Sequence, residues 1–426
     1  MNSFFNIDSK IAAAAEKALE AASASFARID EIRAYNQEKV LAAFIKNSVT
    51  ESHFTESTGY GYGDRGRDVL DSVLADCVGA EDSLIRHSLT CGTHTLGVAL
   101  FGLLRPGDTM LCVTGTPYDT IHSVIGIKGS GMGSLKDFGV TYKQVDLQPD
   151  GTVDLEGIEK ALEEKVAMVY IQRSRGYSLR PSLGVDDIEK IAKIVRNKSD
   201  AVIMVDNCYG EFVERTEPVS HGADIIAGSL IKNPGGGIAK CGGYIAGRAD
   251  LVEKCSYRMT TPGLGREVGP SLGQTRGLFM GLFNAPHIVG EALKTAVFAA
   301  SLFEQLGYET TPHSSEKRVD IIQALKLCNS ETLTGQDKDS GCRLFQDLEE
   351  GVLGFRGQQV GPIEDKDLEG ALAGTDEALA AQLADILDLM VFVRRDIVKE
   401  DVGMGSGSCL QTGGTVATGL VLPGAA

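Results

Sequence analysis

Alanine and leucine dominate from Ser9 to Lys46, charges fall on one side, and Gly and Pro are absent. That pattern predicts one long helix. GYGYGDRGRD, Gly59 to Asp68, breaks it as a Gly-rich loop, and a helical stretch follows to about Cys77. From Leu89 short apolar runs alternate with helical patterns. Strands are expected at 109–113, 140–145, 166–171, 201–205, 224–227 and 243–246, and helices at 93–104, 155–164 and 185–196. This alternation argues for βαβ units and a mostly parallel sheet. Residues 286–306 read as a long connecting helix, 318–327 as a strand or helix, and 375–393 as an amphipathic helix. Residues 330–368 are polar and weakly periodic, and the tail from Gly403 is rich in Gly, Ser and Thr. The division expected is an N-terminal helical arm (1–50), a large domain (51–285), and a connecting helix with a small C-terminal domain (286–426).

The chain has 426 residues, 43% of them hydrophobic and 23% charged, which excludes whole-chain disorder. Its net charge of -17 repels phosphate backbones, and with no local basic stripe a nucleic-acid partner is not expected. The 51 glycines against 12 prolines point to tight turns and close backbone approaches rather than linkers. Nine cysteines at irregular spacings, without a CxxC pair, argue against a disulfide framework or zinc site. No metal is expected. Reduced thiols, no signal-peptide pattern and no apolar run of membrane-spanning length make a cytoplasmic, membrane-free protein the expectation.

The chemistry concentrates in a few segments. In AVIMVDNCYGEF an apolar strand delivers Asp206 at its C-terminal end, the edge where open α/β sheets bind ligands. In ADIIAGSLIKNPGGG a short strand runs into Ser229, Lys232 and three glycines. An acid on one strand end and a Lys on a loop soon after suit pyridoxal phosphate (PLP). The Lys forms a Schiff base and the acid keeps the pyridine nitrogen protonated. A lone Asp or Lys would read as a turn residue or a surface amine, but Ser229 and the GGG run require a close backbone approach here.

In TCGTHTLGVAL, Gly92 and Thr93 open a helix whose free N–H groups suit a phosphate, and His94 is placed to stack on a cofactor ring. An ordinary capped helix is the alternative for this segment alone. GYGYGDRGRD satisfies GxGxxG at Gly61, Gly63 and Gly66, but no strand precedes it, so it is no dinucleotide fingerprint. It is either a surface turn or a loop presenting Tyr60, Tyr62, Arg65 and Arg67 to an anion. YIQRSRGYSLRPSLGVDDI starts at a strand end, which puts Gln172, Arg173 and Ser174 at the ligand edge, or else forms a basic loop without ligand.

Taken together, VDNCYGEF, GSLIKNPGGG, QRSRGYSLRPSL, CGTHTL, GTPYDT and GYGYGDRGRD resemble the aluminium resistance protein, or methionine γ-lyase-like, family of PLP enzymes, over about residues 5–325. The resemblance implies the α/β fold of PLP-dependent transferases of fold type I, related to cystathionine β- and γ-lyases. It implies Lys232 as the Schiff-base lysine and Asp206 as the pyridinium partner. Gly92, Thr93 and Ser229 become phosphate ligands, with His94 near the ring face. Tyr60 or Tyr62, with Arg65 or Arg67, resemble a pair that reaches the phosphate of a neighbouring subunit. A homodimer or homotetramer with an inter-subunit active site follows. After about Leu327 the chain departs from the family pattern, and LQTGGTVATG only faintly resembles the C-terminal LQGG segment. The substrate-carboxylate arginine expected there is not identified, which leaves Arg173 as the candidate.

The implied activity is carbon–sulfur bond cleavage in a sulfur amino acid, by β- or γ-elimination. Lys232, with Tyr60 or Tyr62 assisting, would move the protons. Other PLP reactions, such as those of an aldolase or racemase, share the cofactor residues. The irregular C-terminal third also leaves room for a PLP-binding oligomer without turnover.

Overall fold

A computed structural model describes residues 9–129, 131–176 and 178–326, and the pair Leu420–Val421. Helix α1 spans Ser9–Lys46, and Ile11, Ala15, Ala18, Ala22, Ile29, Val40 and Ala43 make one buried stripe along it. That stripe is what the Ala-rich pattern encodes: small side chains at helical spacing allow close packing. It packs along the last long helix, α8 (Thr275–Gln305).

Seven strands form the main sheet: β1 (Asp82–Arg86), β2 (Thr109–Cys112), β3 (Thr141–Gln144), β4 (Met168–Gln172), β5 (Val202–Asp206), β6 (Ile225–Ser229) and β7 (Gly243–Gly247). Their order is β1-β7-β6-β5-β4-β2-β3, with β7 antiparallel to both neighbours and the other pairings parallel. The helices α2 (Arg65–Val78), α3 (Gly92–Leu103), α4 (Asp119–Ile125), α5 (Leu155–Ala161), α6 (Val185–Lys198) and α7 (Ala249–Met259) cover its two faces.

The pleat sorts the core. Val169 and Ile171 of β4, Ile203 and Val205 of β5 and Ile226 of β6 pack with α1, α2, α6 and α8. Met168 and Tyr170, Met204, and Ile225 and Ala227 pack with α3, α4 and α7. Strands buried on both faces read as continuous apolar runs, which is why they stood out in the sequence. A three-layer α/β/α unit results, and the expected mostly parallel sheet is present.

Three elements of this unit were not expected: β1, α4 and α7. The Pro286 boundary also shifts. The helix expected from Pro286 begins at Thr275 and carries Pro286 in its interior. Proline favours the first turn of a helix, but Leu278, Phe279, Leu282 and Ala285 are all buried, and tertiary packing carries the helix through it.

A second, small sheet follows in the order β10-β9-β8, made by β8 (Glu309–Thr311), β9 (Gln323–Lys326) and β10 (Leu420–Val421). The ambiguous stretch 318–327 is therefore a strand at its end. The helix expected at 375–393, the polar stretch 330–368 and the LQTGGTVATG segment lie outside the described residues. Among the described residues no helix is long and apolar enough to cross a membrane.

Candidate active site

Three parallel strands end side by side. Gln172 pairs with Asp206, and Asp206 with Ala227, so the C-terminal ends of β4, β5 and β6 share one sheet edge. By the pleat, Gln172, Asp206 and Ser229 face the α3 side of that edge. The N-terminus of α3 opens there: a Cβ placed on Gly92 would stand 3.4 Å from Ser229 Cβ and 3.6 Å from Cys208 Sγ.

Asp206 is buried and accepts hydrogen bonds from the Cys208 N–H at 3.1 Å and the Tyr170 hydroxyl at 3.4 Å. Burial pushes its carboxyl up; Lys232 and the hydrogen bonds work against that push. Lys232 follows β6 by three residues and is partly exposed. Its Nζ lies 3.9 Å from the centroid of the Tyr209 ring, a cation–π contact. Burial alone would push the amine down, but the acidic groups around it, Cys208, Tyr209, Asp206 and Glu211, hold it above the ordinary lysine range.

Ser229 Oγ is fully buried and has no hydrogen-bond partner among the described residues. An orphaned buried hydroxyl costs about 1–3 kcal/mol, so its place beside a helix N-terminus argues for an anion that both would hold. Thr93 hydrogen-bonds Thr120 Oγ1 at 2.7 Å at the same helix end. The donors around Ser229 suit a phosphate, and a buried carboxylate such as Asp206 suits a protonated ring nitrogen. These residues fit PLP.

The glycine run after Lys232 does approach backbone closely, on its own loop and on α8. A Cβ on Gly235 would lie 1.6 Å from the Leu230 carbonyl oxygen, and one on Gly236 2.1 Å from that of Gly281. The run seats the lysine loop on the last helix.

Of the other expected residues, two are buried in the scaffold and the rest are exposed. Arg173 is fully buried and does not reach the ligand edge. It falls on the opposite side of the pleat from Gln172, where its guanidinium donates to Glu214 and Asn207 (both 2.8 Å), to Glu217 (3.4 Å) and to the Leu183 carbonyl (3.3 Å). It braces the loop after β5, and Gly210 leaves room for it: a Cβ there would sit 2.4 Å from Nη1. Arg173 is therefore not the carboxylate ligand. Arg67 is also buried, with Nη1 donating to the Gly61 and Gly269 carbonyls at 2.9 Å, so it ties down the Gly-rich loop and is not offered to an anion. Arg65 is exposed. Tyr60 and Tyr62 stand out from the surface, 74% and 62% exposed, with rings 5.7 Å apart. His94 is exposed, and its Nδ1 accepts from the Thr90 N–H at 3.1 Å, which caps the start of α3.

Two residues went unread in the sequence. Tyr209, at φ 71°, takes a left-handed conformation unusual for a non-glycine residue, which aims its ring at Lys232. Glu211 is buried, accepts from the Tyr244 hydroxyl at 2.8 Å, and burial pushes its carboxyl up to about 8. Both lie within VDNCYGEF, and a Tyr three residues beyond a strand-end Asp was the available signal.

The sequence matches the profile of the methionine gamma-lyase family over residues 11–338, about three quarters of the chain. The chain belongs to the methionine gamma-lyase family. The chain is 47% identical over 308 residues to the uncharacterized protein YnbB of Bacillus subtilis, covering 72% of this chain and 73% of that protein. Among solved structures it is similar to the carbon-sulfur lyase involved in aluminum resistance from Clostridium novyi NT. That similarity has a TM-score of 0.78 and 42% identity, covering 90% of this chain and 97% of that one. The L-methionine gamma-lyase of Pseudomonas putida is more distant, 28% identical over 190 residues, or 44% of this chain and 42% of that protein.

Proposed function

We propose that this member of the methionine gamma-lyase family is a PLP-dependent carbon–sulfur lyase of fold type I acting on a sulfur amino acid. The observation that carries the reading is the convergence of Lys232, Asp206 and the unpartnered Ser229 hydroxyl at one sheet edge, beside the N-terminus of α3. Membership of the family and the likeness to a carbon-sulfur lyase support the reaction class.

When bound, PLP supplies a pyridinium ring that accepts the electron pair left on the substrate α-carbon. The chain's own residues do the rest. Ser229 and the N–H groups of Gly92 and Thr93 hold the phosphate. Asp206 holds the proton on the ring nitrogen. Lys232 Nζ anchors the cofactor, then takes the α-proton as a general base. Tyr209 stacks beside that amine and fixes its direction. His94, exposed at the start of α3, offers its ring face to the cofactor. For β-elimination the thiol leaves, and one water hydrolyses the remainder to ammonia and a 2-oxo acid; γ-elimination needs one more proton shift, assigned to Lys232 with a tyrosine.

Tyr60, Tyr62 and Arg65, exposed on their loop, complete the site of a second copy in a homodimer or a dimer of dimers. The six described cysteines are free thiols, which favours a reducing, cytoplasmic setting. The test is product analysis with cystathionine, methionine and cysteine. Release of thiol, ammonia and 2-oxo acid is expected, reduced at least about 1,000-fold in Lys232→Ala. Full activity in that variant, or no product from any of the three, contradicts the proposal.

A further inference from the structure

With Arg173 committed to Glu214 and Glu217, the substrate carboxylate needs another cation. Arg175, Arg180 and Arg318 are all buried and gather where the loop after β4 meets the segment entering β9. Asp320 is the buried carboxylate beside them. Its oxygens are already engaged: Oδ1 accepts from the Ile322 N–H at 3.1 Å, and Oδ2 from the hydroxyls of Ser174, at 2.8 Å, and Ser182.

The arginines differ in how well they are satisfied. Arg180 donates to three backbone carbonyls, those of Gln172, Ser174 and Pro181. Arg175 gives Nη1 to the Thr311 carbonyl at 3.0 Å, while its Nε has no partner among the described residues. Among the described residues Arg318 gives only Nη1, at 3.4 Å, to the Ile322 carbonyl, and its Nε and Nη2 have no partner. Burial pushes the Arg318 guanidinium down to about 10, with Asp320 opposing that push and Arg175 adding to it. Arg318 is 7% exposed, so water does not substitute for the missing acceptors.

Nε and Nη2 form one edge of the guanidinium plane, the edge that grips both oxygens of a carboxylate in parallel. Arg175 Nε adds a third donor. The cluster also lies close to the proposed chemistry. Ile322, which accepts from Arg318, forms with Ala324 an apolar cluster against which Tyr209 packs, and the Tyr209 ring lies under Lys232 Nζ. Gln172, whose carbonyl Arg180 holds, pairs with Asp206.

We infer that Arg318, with Arg175, binds the carboxylate of the amino-acid substrate through its unpartnered Nε–Nη2 edge. The inference rests on the reading of the chain as a PLP enzyme. Arg180 and Asp320 are positioning residues: the first holds the strand-end backbone, and the second ties Ser174 and Ser182 to the β9 segment.

The test uses holoenzyme and a matched pair of probes. L-Norleucine carries the carboxylate but no sulfur to eliminate; n-pentylamine has the same carbon chain and amine without the carboxylate. Each is titrated against the visible cofactor absorbance of wild type, Arg318→Gln and Arg175→Gln. Arg318→Gln is expected to weaken norleucine about 100-fold while leaving pentylamine within about 2-fold and the unliganded spectrum unchanged. Arg175→Gln is expected to cost norleucine about 10-fold with the same selectivity, and serves alone if Arg318→Gln does not fold. Norleucine binding that is unchanged, or weakened equally with pentylamine, overturns the inference. A wild-type protein that takes up no PLP overturns the underlying reading, and the inference with it.

Discussion

At the scale of single residues, the pleat decides which side chains reach the site. Asp206 and Ser229 were legible because each ends an apolar strand, and chemistry in an open α/β sheet collects at those ends. Arg173 follows a strand end directly, one residue past Gln172, and one residue reverses the face. Counting alternation along MVYIQR would have sent it to the α6 side, where Glu214 and Glu217 receive it. The burial of Glu211 was not legible, because it depends on Tyr244 closing over it from β7. That burial carries a pH signature. The Glu211 carboxyl sits at about 8 in the fold against its ordinary 4.5. Between those values the folded chain holds a proton that the unfolded chain releases, so stability falls as pH rises through the window. At about 1.4 kcal/mol per pKa unit the loss reaches a few kcal/mol. Glu211→Gln keeps an acceptor for Tyr244 and removes the titration. Its melting temperature should fall less than that of wild type between about pH 5 and pH 9; parallel falls in the two proteins would show that Glu211 does not titrate there.

At the scale of elements, long amphipathic and doubly buried segments were readable, and short ones were not. The eleven elements from α1 to β7 that the pattern predicted lie within a few residues of the observed ones, most of them because they encode their own burial. β1 reads poorly because Asp82 and Arg86 cap a run of only three residues, and its place at the sheet edge comes from pairing with distant β7. α4 is a single short helix between Tyr118 and Gly126, too brief for periodicity to declare itself. The GGG run was read as a close approach, correctly, but the sequence does not name the partner. Its partner beyond its own loop is Gly281 on α8, forty-five residues after Gly236, so the last helix carries the lysine loop as well as covering the sheet. The helix expected at 375–393 lies outside the described residues.

At the scale of the whole molecule, the proposed account draws the cofactor residues from the large sheet and Arg318 from the segment entering the small sheet. A site assembled from both explains why no single motif contained it. The tyrosine pair on the Gly-rich loop points outward, and the proposed account uses it in a second copy. Sedimentation of the PLP-loaded protein should therefore give a dimer or a larger even assembly; a monomer that holds PLP and turns over would contradict that part. The central claim is that Lys232 carries the cofactor. The most direct measurement is borohydride reduction of the PLP-loaded protein, followed by peptide mapping of the pyridoxyl group. The account predicts that the visible absorbance disappears and that the label is fixed on Lys232 alone. A label on another lysine, or a protein that takes up no PLP, would contradict it.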